Sequence, residues 1–185
     1  MLMALIKEHN RVIRTLQQHK ESINAAAALI IKTFESGNKL LLCGNGGSAA
    51  DCQHIAAEFM VRYSKTRLPL PAIALTTDSS LITAHTNDFD FATLYSRQIE
   101  ALGNPNDLLI AISTSGNSKN IIYACQMAKQ KDIRVITLTG NSNGLSPYAD
   151  ICIKVNSTIT ARIQEAHIFI GHYLCEVVDN HLGKK

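Results

Sequence analysis

A serine-rich turn and a histidine–glutamate pair are the parts of this chain whose residue types and spacing suit chemistry. The turn is Ser113-Thr114-Ser115-Gly116-Asn117-Ser118. Before it stands an unbroken apolar run, Leu108 to Ile112, as in a strand buried on both faces. After it comes helical apolar spacing: Ile121, Ile122, Ala124, Cys125 and Ala128. A strand that breaks into hydroxyls and a glycine and then enters a helix makes an anion cradle, because a helix N-terminus offers unpaired N–H groups and partial positive charge. No Lys or Arg lies inside the turn, so a phosphate there is held by dipoles and hydroxyls. An ordinary capped turn also uses serine, but this run carries more hydroxyls than capping needs.

A second loop, Gly44-Asn45-Gly46-Gly47-Ser48-Ala49, formally fits the dinucleotide fingerprint G-x-G-x-x-A. That fingerprint requires an acidic residue about 20 positions on, and residues 62–73 contain no Asp or Glu. The loop reads better as a close backbone approach to a small polar ligand, the plain alternative being a tight turn at positive φ. His54 and Glu58 follow on the helix this loop opens, at i and i+4, and so share a face. Such a pair can be a surface ion pair. Here Ile55, Ala56, Ala57 and Phe59 surround it, and a carboxylate in partly dry surroundings suits general-base work near neutrality. Near the C-terminus, Gln164 and His172 stand eight residues apart among Ile163, Ile168, Phe169, Ile170 and Leu174. That spacing is roughly 12 Å along a helix. One metal reaches both only if long side chains bend toward each other or the ligands come from different subunits.

These residues need strands and helices to place them. Two N-terminal helices are expected, over 2–18 and from about Glu21 to the Glu35-Ser36-Gly37-Asn38 break. Residues 25–31 of the second are almost wholly apolar, more than one buried face requires, which points to a covering partner subunit. Strands are expected at 39–43, 72–76, 108–112, 135–139 and 151–155. Helices are expected over 49–63, from Thr77 to about Asp88, over 91–102, from about Ile121 to Ala128, and over 160–181. Short continuous apolar strands alternating with helices predict a three-layer αβα sandwich around a five-stranded parallel sheet. Ligands of such sheets bind beyond the carboxyl ends of the strands, near a topological switch point.

Composition narrows the classes. One domain spanning residues 1–185 is expected from the length, with 1–36 as a helical segment used in oligomerisation. The formal charge is only +3 and the basic residues are scattered, so no nucleic-acid stripe is present. Lys7 and Glu8 interrupt any leader-like apolar start, and no apolar run reaches membrane-span length. The five cysteines are spread and form no C-x-x-C pair, which fits small core residues in a reducing cytoplasm.

Taken together, CGNGGSAADCQHIAAEF (43–59), AIALTTD (72–78), Asn87-Asp88, ISTSGNS (112–118), ITLTG (136–140) and ARIQEAHIFIGH (161–172) resemble the sugar isomerase (SIS) family. The resemblance is strongest to its phosphoheptose isomerase branch, which converts sedoheptulose 7-phosphate to D-glycero-D-manno-heptose 7-phosphate, the first step toward the ADP-heptose of lipopolysaccharide core. It implies a flavodoxin-like fold. It also implies that Ser113, Thr114, Ser115 and Ser118 bind the phosphate, while Asn45, Gly46, Gly47, Ser48, Asn87, Asp88, Gln164 and Arg62 contact the sugar. Glu58 and His172 would transfer protons. A zinc ion at His54, Glu58, Gln164 and His172 is implied, as is a homotetramer whose active sites are shared between chains. Relatives usually read Glu-Leu-x-Gly-Arg where this chain has Glu58-Phe59-Met60-Val61-Arg62, and some carry Asp where Ala161 stands. The competing reading is a non-catalytic SIS adaptor of the kind that associates with the bacterial replication initiator. That branch keeps the phosphate turn but lacks the counterparts of Glu58 and His172, both present here.

Overall fold

The structure, a computed structural model, describes residues 1–183. Five parallel strands form one sheet: β1 (Leu40–Gly44), β2 (Ala72–Ala74), β3 (Leu108–Ser113), β4 (Arg134–Thr139) and β5 (Ile151–Lys154). Their spatial order is β2-β1-β3-β4-β5. Successive strand side chains point to opposite faces, and here both faces are covered. Leu40, Leu42, Leu108, Ile110 and Ile112 pack into one core with residues of α1 (Leu2–Thr15), α2 (Lys20–Glu35), α3 (Gly47–Met60) and α7 (Thr160–Leu182). Leu41, Cys43, Leu109 and Ala111 pack into the other with α5 (Leu94–Leu102) and α6 (Lys119–Gln130). Burial on both sides is why the strands read as continuous apolar runs, and the αβα sandwich expected from that pattern is the fold observed.

Boundaries shift by a few residues, each for a local reason. The first expected helix ends at Thr15, and a 3₁₀ turn, Leu16–His19, links it to α2. The edge strand β2 pairs only over 72–74. Helix α3 starts earlier than expected because Gly46, at φ 57°, turns the chain so that its carbonyl accepts from Ala49 N and Ala50 N at 3.0 and 3.2 Å. A short helix, α4 (Ser79–Asp88), follows β2 and is capped by Asp78, whose side chain accepts from Leu81 N. Lys184 and Lys185, the end of the expected 1–185 domain, lie outside the described residues.

Candidate active site

From β1 the chain steps one way to β2, and from β3 it steps the other way to β4 and β5. The carboxyl ends of β1 and β3 therefore flank the switch point where such sheets bind ligands. Gly44 pairs with Ile112, so the glycine loop and the serine turn leave adjacent strands about 4.8 Å apart. Their side chains join them. Asn45 Nδ2 donates to Asn120 Oδ1 at 2.9 Å, and Asn120 Nδ2 donates back to Asn45 Oδ1 at 2.8 Å. Tyr95 Oη donates to the Gly44 carbonyl at 2.6 Å. Burial pushes the Tyr95 phenol well above its ordinary pKa, so it remains a hydroxyl donor.

The serine turn curls on itself. Ser113 Oγ lies 3.4 Å from Ser115 Oγ and 3.3 Å from Ser118 Oγ, and Gly116 N donates to Ser113 Oγ at 3.1 Å. Gly116 sits at φ 65°, a left-handed conformation that costs glycine little. Ser118 is the N-cap of α6, yet its hydroxyl makes no capping bond, and its backbone carbonyl accepts from Ile121 N and Ile122 N instead. Three hydroxyls thus cluster at the positive end of α6, as an anion cradle requires. Thr114 is half-buried, its carbonyl taking Gly140 N at 3.1 Å. Ser48, in the first turn of α3, is buried.

The histidine–glutamate pair faces α7. His54 Nε2 lies 2.9 Å from His172 Nε2 and 3.4 Å from Glu58 Oε1. Their rings meet edge to face, with centroids 5.1 Å apart. The site is open: the His54 side chain is 49% exposed and that of Glu58 21%. Helices α3 and α7 run side by side in the same direction; they touch at two levels, and the connection beyond α3 meets α7 at a third. A Cβ on Gly47 would collide with the Gln164 amide. A Cβ on Gly171 would lie 2.6 Å from Ile55 Cδ1. Farther down, Asp179 accepts from the backbone N–H groups of Ser64 and Lys65 at 2.8 and 3.0 Å. The eight-residue gap between Gln164 and His172 therefore resolves into two levels. Gln164 lies at the sheet rim on the glycine loop, and His172 lies about 12 Å below it with His54 and Glu58.

These features place the chain in a family. The SIS domain model matches residues 5–140. Two similar proteins are the phosphoheptose isomerase of Roseiflexus sp. strain RS-1, 49% identical over 170 residues (91% of this chain and 86% of that protein), and phosphoheptose isomerase 2 of Campylobacter jejuni, 52% identical over 164 residues (88% and 82%). The chain belongs to the SIS family, in its phosphoheptose isomerase branch. The solved phosphoheptose isomerase of Neisseria gonorrhoeae has the same fold, with a TM-score of 0.90 at 40% identity over 97% of each chain.

Within one chain the expected site residues fall into separate groups. Asn45 to Ser48 and Gln164 gather at the rim beside Ser113 to Ser118, while His54, Glu58 and His172 gather lower on the helices. Glu58 is eleven residues down α3 from Gly47, about 16 Å along the axis. Arg62 is exposed beyond the end of α3. Asn87 and Asp88 are exposed at the end of α4, where Asn87 Nδ2 donates to Asp88 Oδ1 at 2.8 Å. Among the described residues, none of these three hydrogen-bonds to the turn or to the trio. Val61 takes φ −101°, a value any residue adopts, so valine is accommodated there without backbone strain.

Sequence reasoning passed over Asn120 and Tyr95, although a signal existed. Asn120 falls on the same stripe as Ile121, Ala124, Cys125 and Ala128, all buried. Tyr95 falls on that of Leu94, Gln98 and Ile99. A polar group on a buried stripe needs a partner, and for both residues that partner is the glycine loop.

Proposed function

We propose that the protein interconverts sedoheptulose 7-phosphate and D-glycero-D-manno-heptose 7-phosphate by proton transfer through an enediol, in the cytoplasm, as the first step toward ADP-heptose. The observation that carries this reading is the meeting of a carboxylate and two imidazoles, Glu58, His54 and His172, on a scaffold that also bears a hydroxyl cradle for phosphate. In this reading Glu58 takes the proton from the carbon beside the carbonyl and returns it to the neighbouring carbon. His172 gives a proton to the carbonyl oxygen and accepts one from the adjacent hydroxyl. Each such group contributes on the order of 10²–10⁴ in rate. Ser113, Thr114, Ser115 and Ser118 grip the phosphate, and binding energy spent there holds the reacting carbons against the base. Asn45, Gly46, Gly47, Ser48, Gln164, Asn87, Asp88 and Arg62 contact the sugar.

Zinc is part of the proposal, and the donor chemistry of two imidazoles and a carboxylate suits it. Zinc–nitrogen bonds of about 2.0–2.1 Å set tetrahedral ligands about 3.3 Å apart, against 2.9 Å between the two imidazole nitrogens and 3.4 Å from His54 to Glu58. Among the described residues no three His, Cys, Asp or Glu side chains already close round one point, so the trio would tighten on binding. His54, Glu58 and His172 would hold the ion, with Gln164 supplied by another copy. When bound it would polarise the carbonyl or order the site.

Reach supports active sites shared between copies, and in this reading the assembly is a homotetramer. A seven-carbon sugar phosphate extends about 10 Å, at roughly 1.25 Å of advance per bond, which is less than the axial distance from the rim to Glu58. A ligand seated on one copy's serine turn therefore meets the acid–base groups of another. Apolar surface on the helical side supports this. Leu2, Met3, Leu5 and Ile6 of α1 and Phe169 of α7 are exposed, and a groove of about 410 Å³ between the 3₁₀ turn, α2 and α7 is lined by Leu16, Ile23 and Tyr173. Placement in the cytoplasm rests on five free cysteines, four of them buried, and on there being no described helix long and apolar enough to cross a membrane. The test is a coupled assay of sedoheptulose 7-phosphate beside five- and six-carbon ketose phosphates. Preferential turnover of the heptose is expected, and no turnover of any of them would leave a sugar-phosphate-binding scaffold.

A further inference from the structure

Arg67 lies on the connection between α3 and β2, away from the serine turn and the glycine loop, yet its side chain is only 2% exposed. All three of its nitrogens are engaged. Nε donates to Asp179 Oδ1 at 2.6 Å, Nη2 to the Glu58 carbonyl at 2.8 Å, and Nη1 to the Phe59 carbonyl at 2.7 Å and the Leu68 carbonyl at 3.1 Å. Helices end with carbonyls that lack partners, and a glycine in the left-handed conformation commonly turns the chain to satisfy them. Helix α3 ends at Met60 with Val61 at negative φ, and its last turn holds no basic residue. Arg67 does that work from outside the helix, and one of the two helix carbonyls it takes belongs to Glu58.

Its anchor is Asp179 on α7, seven residues beyond His172 and 1% exposed in its side chain. Burial alone would raise the Asp179 carboxyl, but the N–H groups of Lys65 and Ser64 and the Arg67 guanidinium hold it below the ordinary carboxylate range. One buried ion pair thus fastens the end of the helix that carries Glu58 to the helix that carries His172. The same carboxylate pins Ser64 and Lys65, two and three residues beyond Arg62. We propose that Arg67, held by Asp179, is a positioning residue that fixes Glu58 relative to His172.

This inference rests on the isomerase reading, so its test has one arm that needs no turnover. In Arg67→Lys the charge partner of Asp179 stays, but a single ammonium replaces the planar fork that spans two carbonyls. Amide hydrogen exchange over residues 55–62 should quicken while the sheet stays protected. The kcat for sedoheptulose 7-phosphate should fall about 10- to 100-fold, the scale of a misplacement near 1 Å, with KM within about twofold because the phosphate cradle is untouched. Asp179→Asn, of the same shape, should act in the same direction, and it decides the matter if Arg67→Lys does not fold. Unchanged exchange over 55–62, or an unchanged kcat in a folded variant, overturns the inference, as does a loss confined to KM. A wild-type enzyme inactive on the heptose would sink the isomerase reading instead, and the exchange arm would still decide whether Arg67 holds the end of α3.

Discussion

Placing a methyl group at Gly171 is the sharpest test of how α3 and α7 set the site. Its Cβ would stand 2.6 Å from Ile55 Cδ1 and 3.0 Å from Ile55 Cγ1, where carbon atoms prefer about 3.5–4.0 Å. Ile55 is 2% exposed and has little room to turn, so α7 must move away from α3 by about 1 Å. Alanine is the better helix former by about 1 kcal/mol, while overpacking costs about 1–3 kcal/mol. Gly171→Ala should therefore lose no more than about 2 kcal/mol of stability. Its effect on activity should be larger, because His172 is the next residue and its approach to His54 and Glu58 would open; we expect kcat about 10- to 100-fold lower. Ile55→Val deletes Cδ1, the nearer of the two crowded atoms, at a cost by itself of about 0.5–1.5 kcal/mol. In the double variant the new methyl takes that space and still meets Cγ1 at 3.0 Å, so stability and kcat should recover in large part. Steady-state kinetics with sedoheptulose 7-phosphate and thermal unfolding of the four proteins measure the cycle. A Gly171→Ala enzyme with wild-type kcat, or a double variant no better than Gly171→Ala, would refute the reasoning.

Three further outcomes are expected. Glu58→Gln should give a folded protein that still binds sugar phosphate, with turnover reduced by about 10²–10⁴; an undiminished rate removes Glu58 from the mechanism. Protein purified without chelator should carry zinc by elemental analysis, and a metal-free preparation with full activity would reject the zinc proposal. His167 is fully buried, and burial pushes its pKa down to about 4. The unfolded chain protonates this ring near 6.5, so its contribution to stability is complete above that pH and falls away toward pH 4, by of order 3 kcal/mol. His167→Gln should flatten that part of the stability profile measured by denaturant unfolding, leaving the loss below about pH 4 to carboxylates such as Asp179 and Asp107. A profile as steep as wild type between pH 6.5 and 4 would contradict it.

The sheet was legible in the sequence because burial on both faces leaves runs such as Leu108–Ile112 with no polar interruption, and each run ends in a glycine- or hydroxyl-rich turn. The serine turn and the His54–Glu58 face were legible for a related reason: both are local, set by residues within one turn or one helix. What connects them is not local. Arg67 and Asp179 are 112 residues apart in sequence, and no periodicity marks an arginine whose partners are backbone carbonyls. Gly171 looks like any helical glycine until Ile55 is seen against it. The interval between Gln164 and His172, a difficulty for one metal when read along one helix, becomes two separate stations once α3 lies beside α7.

That side-by-side pairing is fastened at Gly47 against Gln164, at Ile55 against Gly171, and at Ser64 and Lys65 against Asp179. A rod bolted at both ends and braced at its centre cannot slide by a helical turn to find another set of neighbours. The two imidazoles sit beside the central brace, so their spacing reports on bolts about two turns away. Lesions at the rim or beneath Asp179, distant from any sugar, would then be registered first as a slower reaction and only afterwards as a weaker fold.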